Sequence, residues 1–302
     1  MASLTEGNSR TDFVPEYFLR ELRSAARKGE FNLISTLLND YEAKFSKDAF
    51  YAESLSWVAR RAMSHGFKEE GLSYARDAYD LACSQIGEEP VIAGSPLALA
   101  IGASIEVQSQ ALIEAGNTAE AVALLEGQLT RFETQPFRIR LRKNLNALTL
   151  VGQCPPALDW KLLPGSAPAG KAVLQGPCLL FFWAHWCSDS RTQGRTLAKV
   201  MELFKELPIV APTRLFGYIT KGNPVPEADE IEHIREVRKV DYPVLADIPL
   251  PCGLANFDRF GASTIPTMVG VGSDGKVAFF HPGTLSQEDL ESRLRAMLIA
   301  QC

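Results

Sequence analysis

No two of the six cysteines in this 302-residue chain stand close in sequence. Cys83, Cys154, Cys178, Cys187, Cys252 and Cys302 form no Cys-x-x-Cys pair. The four histidines are scattered as well, so zinc-ligand spacing is missing and neither a metal nor an organic cofactor is implied. A disulfide framework is not expected in a chain this long and this rich in core residues. No uninterrupted run of 18 apolar residues occurs, so no helix is expected to span a membrane. An excess of positive charge is also lacking: 31 Lys and Arg face 36 Asp and Glu, a net charge of −5. The most basic stretch, "RIRLRKN" at Arg138 to Asn144, reads as a solvated helix face, not a nucleic-acid site. The polar start, "MASLTEGNSRTD", lacks the basic-then-apolar pattern of a secretory signal. The chain is then either cytoplasmic or a mature form whose leader is gone.

What is present is a globular composition, 46% apolar and 22% charged, long enough for two domains. The first half carries apolar residues at helical spacing over Phe13 to Lys28, Phe31 to Phe45, Ala49 to His65, Lys68 to Ser84, Leu97 to Ala115 and Thr118 to Phe132. Breaks fall at Gly29, Gly66, Gly87 and Gly116, where glycine can close a helix in the left-handed conformation. "SWVARRAMSHGFKEEGLSYARDAY" can be laid over "EVQSQALIEAGNTAEAVALLEGQL" at an offset of 50, matching Gly66 to Gly116 and Gly71 to Ala121. That resembles degenerate tetratricopeptide packing with a loop insertion at "SQIGEEPVIAGSP", since the ordinary period is about 34 residues. A plain helical bundle fits equally. A helical repeat would offer a protein partner a groove, but no anchor residues can be named.

The texture changes near residue 150, which sets the expected domains at 1–150 and 151–302. "VGQCPPALDWKLLPGSAPAGKAVLQGP" is rich in proline and glycine. "CLLFFWA" then reads as a strand buried on both faces. A helix over Ser188 to Lys205, a strand at "RLFGYIT", a helix over Glu227 to Arg238, a strand beginning at "YPVLAD" and a short helix at "LANFDRFG" follow. A hairpin turned at Ser273-Asp274-Gly275 and a closing helix from an N-cap at Ser286 to Ile299 complete the order βαβαβαββα. The fold class expected is a two-domain α+β chain: an all-α, repeat-like first half and an α/β sandwich.

Chemistry gathers at "FFWAHWCSDSR". A buried strand feeds directly into a helix with Cys187 at the junction, where unpaired N–H groups and a partial positive charge favour thiolate over thiol. Trp183 and Trp186 would shield the sulfur and offer a flat surface to an extended peptide. His185 reads as a surface histidine, and Asp189 as a first-turn acid favoured by the helix dipole. Tyr218 and Asp247 stand near strand ends, where such sheets bind ligands. Pro266, in "GASTIPTMV", reads as a strand starter.

These motifs together resemble the TlpA-like branch of the thioredoxin superfamily, the membrane-anchored or periplasmic disulfide reductases and their relatives. The residues that carry it are Trp186-Cys187, Ile265-Pro266, Asp274-Gly275 and Gly283, with "VGQCPPALDW" similar to that branch's lead-in. The resemblance covers Val151 to the C-terminus. It implies a thioredoxin-like sandwich, an exported location, Cys187 as the attacking cysteine, and Pro266 as a cis-proline. Thr264 and Ile265 would pair with a substrate strand. Two departures matter. Ser190 stands where the resolving cysteine belongs, and Phe181 where many thioredoxins bury an acid.

Ser190 cannot release a mixed disulfide, although it can donate a hydrogen bond to the Cys187 sulfur. A natural monothiol enzyme, an engineered trapping variant and a redox-inactive relative all fit. The expected function is thiol–disulfide exchange on protein thiols or disulfides through Cys187. The alternative is a redox-inactive scaffold whose helical half binds a protein partner. A one-cysteine peroxidase is a third class, but "WAHWC" lacks its usual pattern of Pro and Thr upstream. Cys252, in "DIPLPCGLANF", reads as a half-buried loop cysteine before it reads as a resolving thiol. Cys178 reads as core, Cys83 as helix packing, and Cys154 and Cys302 as exposed thiols.

Overall fold

The computed structural model describes residues 15–168 and 176–299. Phe13, residues 169–175 of the proline-rich lead-in and Cys302 lie outside them. The chain divides into two compact units, Met1–Arg138 and Ile139–Cys302.

The first unit contains α1 (Pro15–Lys28), α2 (Phe31–Phe45), α3 (Ala49–Ser64), α4 (Lys68–Gln85), α5 (Pro96–Glu114) and α6 (Thr118–Arg131). The helices pair as three hairpins closed by one turn geometry. Glu30 N–H bonds Ala25 O at 3.0 Å, Phe67 bonds Ala62 at 2.9 Å, and Asn117 bonds Leu112 at 2.8 Å. Gly29, Gly66 and Gly116 occupy the left-handed position of each turn. Gly87 does not. There α4 ends at Gln85 with an extended Ile86, and the chain turns at Gly94 instead. The small residues matched in sequence do allow close approach: a Cβ on Gly71 would meet Met63 Cγ and Sδ at 3.0 Å, and Ala121 is fully buried.

Among its described residues one charged group lies inside this unit. Glu53 is buried, ion-paired with Arg23, and accepts from Trp57 Nε1 at 3.3 Å. Burial pushes its carboxyl up, against the pull of Arg23. α5 is long and apolar enough by length and composition alone to cross a membrane, although polar residues interrupt its apolar run. Its polar residues are Ser, Gln and Glu, and Ala100, Ile101, Ile105 and Val107 are buried within the unit.

The second unit is a three-layer sandwich. Its helices are α7 (Arg138–Thr149), α8 (Ser188–Met201), α9 (Glu227–Asp241), α10 (Leu254–Phe260) and α11 (Gln287–Ile299). Its strands are β1 (Cys178–Phe182), β2 (Ile209–Val210), β3 (Thr267–Val271) and β4 (Val277–Pro282). They lie in the order β2-β1-β3-β4, with β1 parallel to β2 and antiparallel to β3. β1 is buried at every position. Leu179 and Phe181 face a core with Leu197, Val200, Ile234, Leu290 and Leu294. Cys178, Leu180 and Phe182 face the opposite core with Phe257, Phe260 and Val269. Strand alternation thus puts successive residues into different layers. α7 belongs with this unit rather than ending the first, because Ile139 and Leu150 pack into the second of these cores.

The two middle strands fall elsewhere than expected. The strand after α8 is Ile209–Val210, not "RLFGYIT". Pro208 and Pro212 flank it; they accept from Leu179 and Trp183 but cannot donate, which limits the ladder. "YPVLAD" is not a strand start either. Pro243–Leu245 forms a 3-10 turn anchored by the buried Tyr242, and the extended chain comes later, with Pro249 and Pro251 accepting from Ala211 and Thr213. The hairpin turns at Ser273–Gly275, with Lys276 N–H on Asp274 Oδ1 at 2.9 Å. Ser286 caps α11 by accepting from Asp289 N–H at 3.0 Å.

Candidate functional site

β1 leaves the sheet through Trp183 to Trp186, and Cys187 N–H closes a turn onto Ala184 O at 3.1 Å. Cys187 is the N-cap residue of α8, its carbonyl accepting from Arg191 N–H at 3.2 Å. No side chain caps this end, so the positive end of the helix dipole is left to the sulfur. Across the sheet Phe182 is paired with Thr267, which brings the residues before β3 opposite the exit from β1. The Ile265–Pro266 bond there is cis. Cys187 Sγ donates to Ile265 O at 3.5 Å, so the thiol and the proline loop are in direct contact. The residue is 8% exposed, leaving one edge open.

Around this pair the expected residues divide. Pro266 is buried and its carbonyl accepts from Gly283 N–H at 2.8 Å. Thr264 and Ile265 are half-buried. Thr264 O accepts from Thr267 Oγ1 at 2.6 Å, while the Ile265 amide has no partner among the described residues. Ser190 is fully buried and its hydroxyl has no hydrogen-bond partner, so the expected bond to the Cys187 sulfur is not made. Asp189 is exposed in the first turn of α8.

Trp183 is a correction. It is fully buried, its ring tilted against that of Tyr242 with centroids 4.6 Å apart, and Nε1 donates to Ala211 O, so it offers no face to a peptide. Strand alternation carries it into the same core as Leu179 and Phe181. Trp186, past the end of the strand, is 37% exposed and does present a face.

His185 is a second correction, buried where a surface residue was expected. Its Nε2 donates to Tyr218 O at 2.9 Å and lies 3.9 Å from Glu230 Oε1, and its Nδ1 is buried without a partner. Burial pulls its pKa below the ordinary value, although Tyr218 O and Glu230 pull the other way. The imidazole is held neutral in one tautomer.

Glu230 was not singled out from sequence, yet it organises this corner. It is fully buried on α9, with Oε1 accepting from Phe216 N–H at 2.7 Å and Oε2 from Gly217 N–H at 2.8 Å. That clamp draws "RLFGYIT" out of the sheet, and Gly217 at φ +80 lets the chain turn there. A signal was available: Glu230 stands four residues before Ile234 and seven before Val237, on the buried stripe of its helix. The clamped loop sets Phe216 against Trp186 at 5.4 Å and Tyr218 against Trp186 at 6.2 Å. Tyr218 therefore lies beside Trp186, and Asp247 is exposed after the 3-10 turn.

The other thiols differ from Cys187. Cys178 is core, and burial pushes its pKa up to about 12. Cys252 is half-buried and free, pushed up to about 11 chiefly by burial. At neutral pH such thiols stay protonated and are poor nucleophiles. Cys83 is half-buried and raised by burial, and Cys154 is exposed. Among the described residues no cluster of His, Cys, Asp and Glu could hold a metal ion.

No protein-family model matches the chain, and no curated protein matches it. Solved structures similar to part of it do exist. One is MTB dsbF in its mixed oxidised and reduced forms, 20% identical, covering 47% of this chain and 100% of that one at a TM-score of 0.36. Another is a secreted Mycobacterium tuberculosis disulfide oxidoreductase homologous to E. coli DsbE, 16% identical, covering 49% and 96% at 0.36. A thiol:disulfide interchange protein of the thioredoxin family from Chlorobium tepidum TLS is 14% identical, covering 48% and 95% at 0.36.

Proposed function

We propose that the chain is a thiol–disulfide exchange protein of the TlpA-like, thioredoxin type that works through the single cysteine Cys187. The observation that carries this is the Cys187 Sγ contact with Ile265 O, beside a cis-proline and at an uncapped helix N-terminus. A thiolate there can attack a disulfide while the unpartnered Ile265 amide receives the substrate backbone. The sulfur forms a bond to one substrate sulfur, and the other leaves as a thiolate that takes a proton from water. Ser190 has no thiol with which to finish the reaction. A small external thiol then attacks the mixed disulfide, and a second equivalent restores Cys187. Two thiols are oxidised to their disulfide for each substrate disulfide reduced. The role of Ser190 in this reading is to fill the resolving position without reacting.

The three helical hairpins with one turn geometry support a repeat-like first domain, and a protein partner for it fits that reading. The test for the site is mass spectrometry of the full chain mixed with a disulfide-bonded peptide. A stable adduct mapped to Cys187 and lost in Cys187→Ser is expected, and Ser190→Cys should release it. An adduct at Cys252 or Cys154, or none at all, would leave only a scaffold.

A further inference from the structure

We propose that Arg214, seated on the ring of Phe216, which itself meets Trp186 and Tyr218, is a carboxylate-binding subsite that selects substrate segments with an acidic residue beside their disulfide. This rests on the thiol–disulfide reading of Cys187.

The placement follows from the sheet. β2 runs parallel to β1, so both open at the same edge. Thr213, three residues past β2, donates its hydroxyl to Trp183 O at 3.2 Å and fixes the chain beside the segment leading to Cys187. Arg214 is the next residue. Its guanidinium lies 4.5 Å from the Phe216 ring centroid and 5.6 Å from that of Phe257. Such a position holds a cation by the ring quadrupole and restricts its motion.

What is missing is an acceptor. Among the described residues Arg214 has no ion pair and no hydrogen bond, and its Nε is buried without a partner. Glu230 is near enough to act on it electrostatically, but both carboxylate oxygens are taken by the Phe216 and Gly217 amides. Glu230 therefore builds the shelf and leaves the guanidinium unpaired. Arg214 also lines a cavity of about 280 Å³ with Lys161, Glu227 and Cys252, whose lining does not include the rings of Trp186, Phe216 and Tyr218. Buried donors are ordinarily satisfied, and an arginine fork matches a carboxylate with two parallel bonds. Phe216 in turn meets the ring of Trp186, the residue before Cys187, so a carboxylate on a peptide laid over the exposed face of Trp186 would come toward the guanidinium.

The test uses the full chain and two disulfide-bonded peptides that differ only by Glu or Gln two residues from the disulfide cysteine. The readout is the second-order rate of adduct formation at Cys187. The acidic peptide is expected to react about tenfold faster at low salt, the equivalent of one charge-assisted bond. Arg214→Met should bring the ratio to one, and Arg214→Lys should keep a reduced preference, having the charge without the fork. Should Arg214→Met fail to fold, the wild-type ratio is followed with salt and should fall toward one. Equal rates for the two peptides in the wild type, or a ratio that persists in Arg214→Met, would overturn the subsite and leave the reaction standing. Absence of any Cys187 adduct would instead overturn the reading of the site itself.

Discussion

Gly194 lies within α8, against the ring of Tyr242. A Cβ placed there would sit 2.5 Å from Tyr242 Cδ1 and 2.8 Å from Cε1. Carbon atoms rest about 3.5–4.0 Å apart, so in Gly194→Ala one partner must retreat by about 1 Å. The ring cannot: Tyr242 is fully buried and lies against Trp183, which is itself fully buried. Two effects therefore oppose each other. Alanine in a helix interior is favoured over glycine by about 1 kcal/mol. Overpacking a filled core costs about 1–3 kcal/mol, and more where neither side can move.

With the ring fixed the overpacking falls at the upper end, about 3 kcal/mol, so the net expectation is a loss of about 2 kcal/mol. Urea unfolding reads it, followed by tryptophan fluorescence in a Trp57→Phe background so that the signal comes from Trp160, Trp183 and Trp186. In a further Tyr242→Leu background the obstacle is gone, and the same Gly194→Ala change should stabilise by up to about 1 kcal/mol. This reversal of sign is the discriminating result. A Gly194→Ala protein as stable as its parent would refute the argument that α8 is set by contact with Tyr242.

Three further outcomes are expected. Because burial lowers the folded-state pKa of His185, the unfolded chain binds its proton first. The stability this group confers should be full above about pH 6.5 and decline as pH falls below that value, and His185→Gln should flatten the urea midpoint measured between pH 5 and 8. With Cys252 pushed up to about 11 and Cys178 to about 12, iodoacetamide at pH 7.5 should label Cys187 well before either, and peptide mapping that finds Cys252 first would contradict the assignment. Glu53→Ala should cost the first unit about 1–3 kcal/mol in thermal unfolding by circular dichroism, since Arg23 is left unpaired but one-third exposed.

Much of the helical unit could be read in advance because its determinants are local. Apolar spacing and left-handed glycines fix where a helix begins and ends within a residue or so, as α2, with its expected bounds, illustrates. Gly87 shows the limit, since a glycine permits a left-handed turn without requiring one. The strand-to-helix junction at Cys187 and the hairpin at Asp274-Gly275 were equally legible. Failures cluster where distant groups compete for the backbone. "RLFGYIT" has strand composition, yet two amides in it are claimed by a carboxylate from α9. His185 and Trp183 were misplaced because a polar or amphipathic side chain follows the burial of its position, not its own preference.

Sequence alone placed the candidate sulfur: a single cysteine after an apolar strand, with serine three residues later and a proline far downstream. Tertiary structure decided what surrounds that sulfur. Ile265 O meets it, Ser190 is buried without a bond to it, Trp183 is withdrawn into the core, and Glu230 builds a shelf from rings and a guanidinium that local pattern does not connect. The reason is physical. Helix ends and turns are settled by a few neighbouring residues, whereas burial and pairing of polar groups depend on which distant segments the packed sheet brings together.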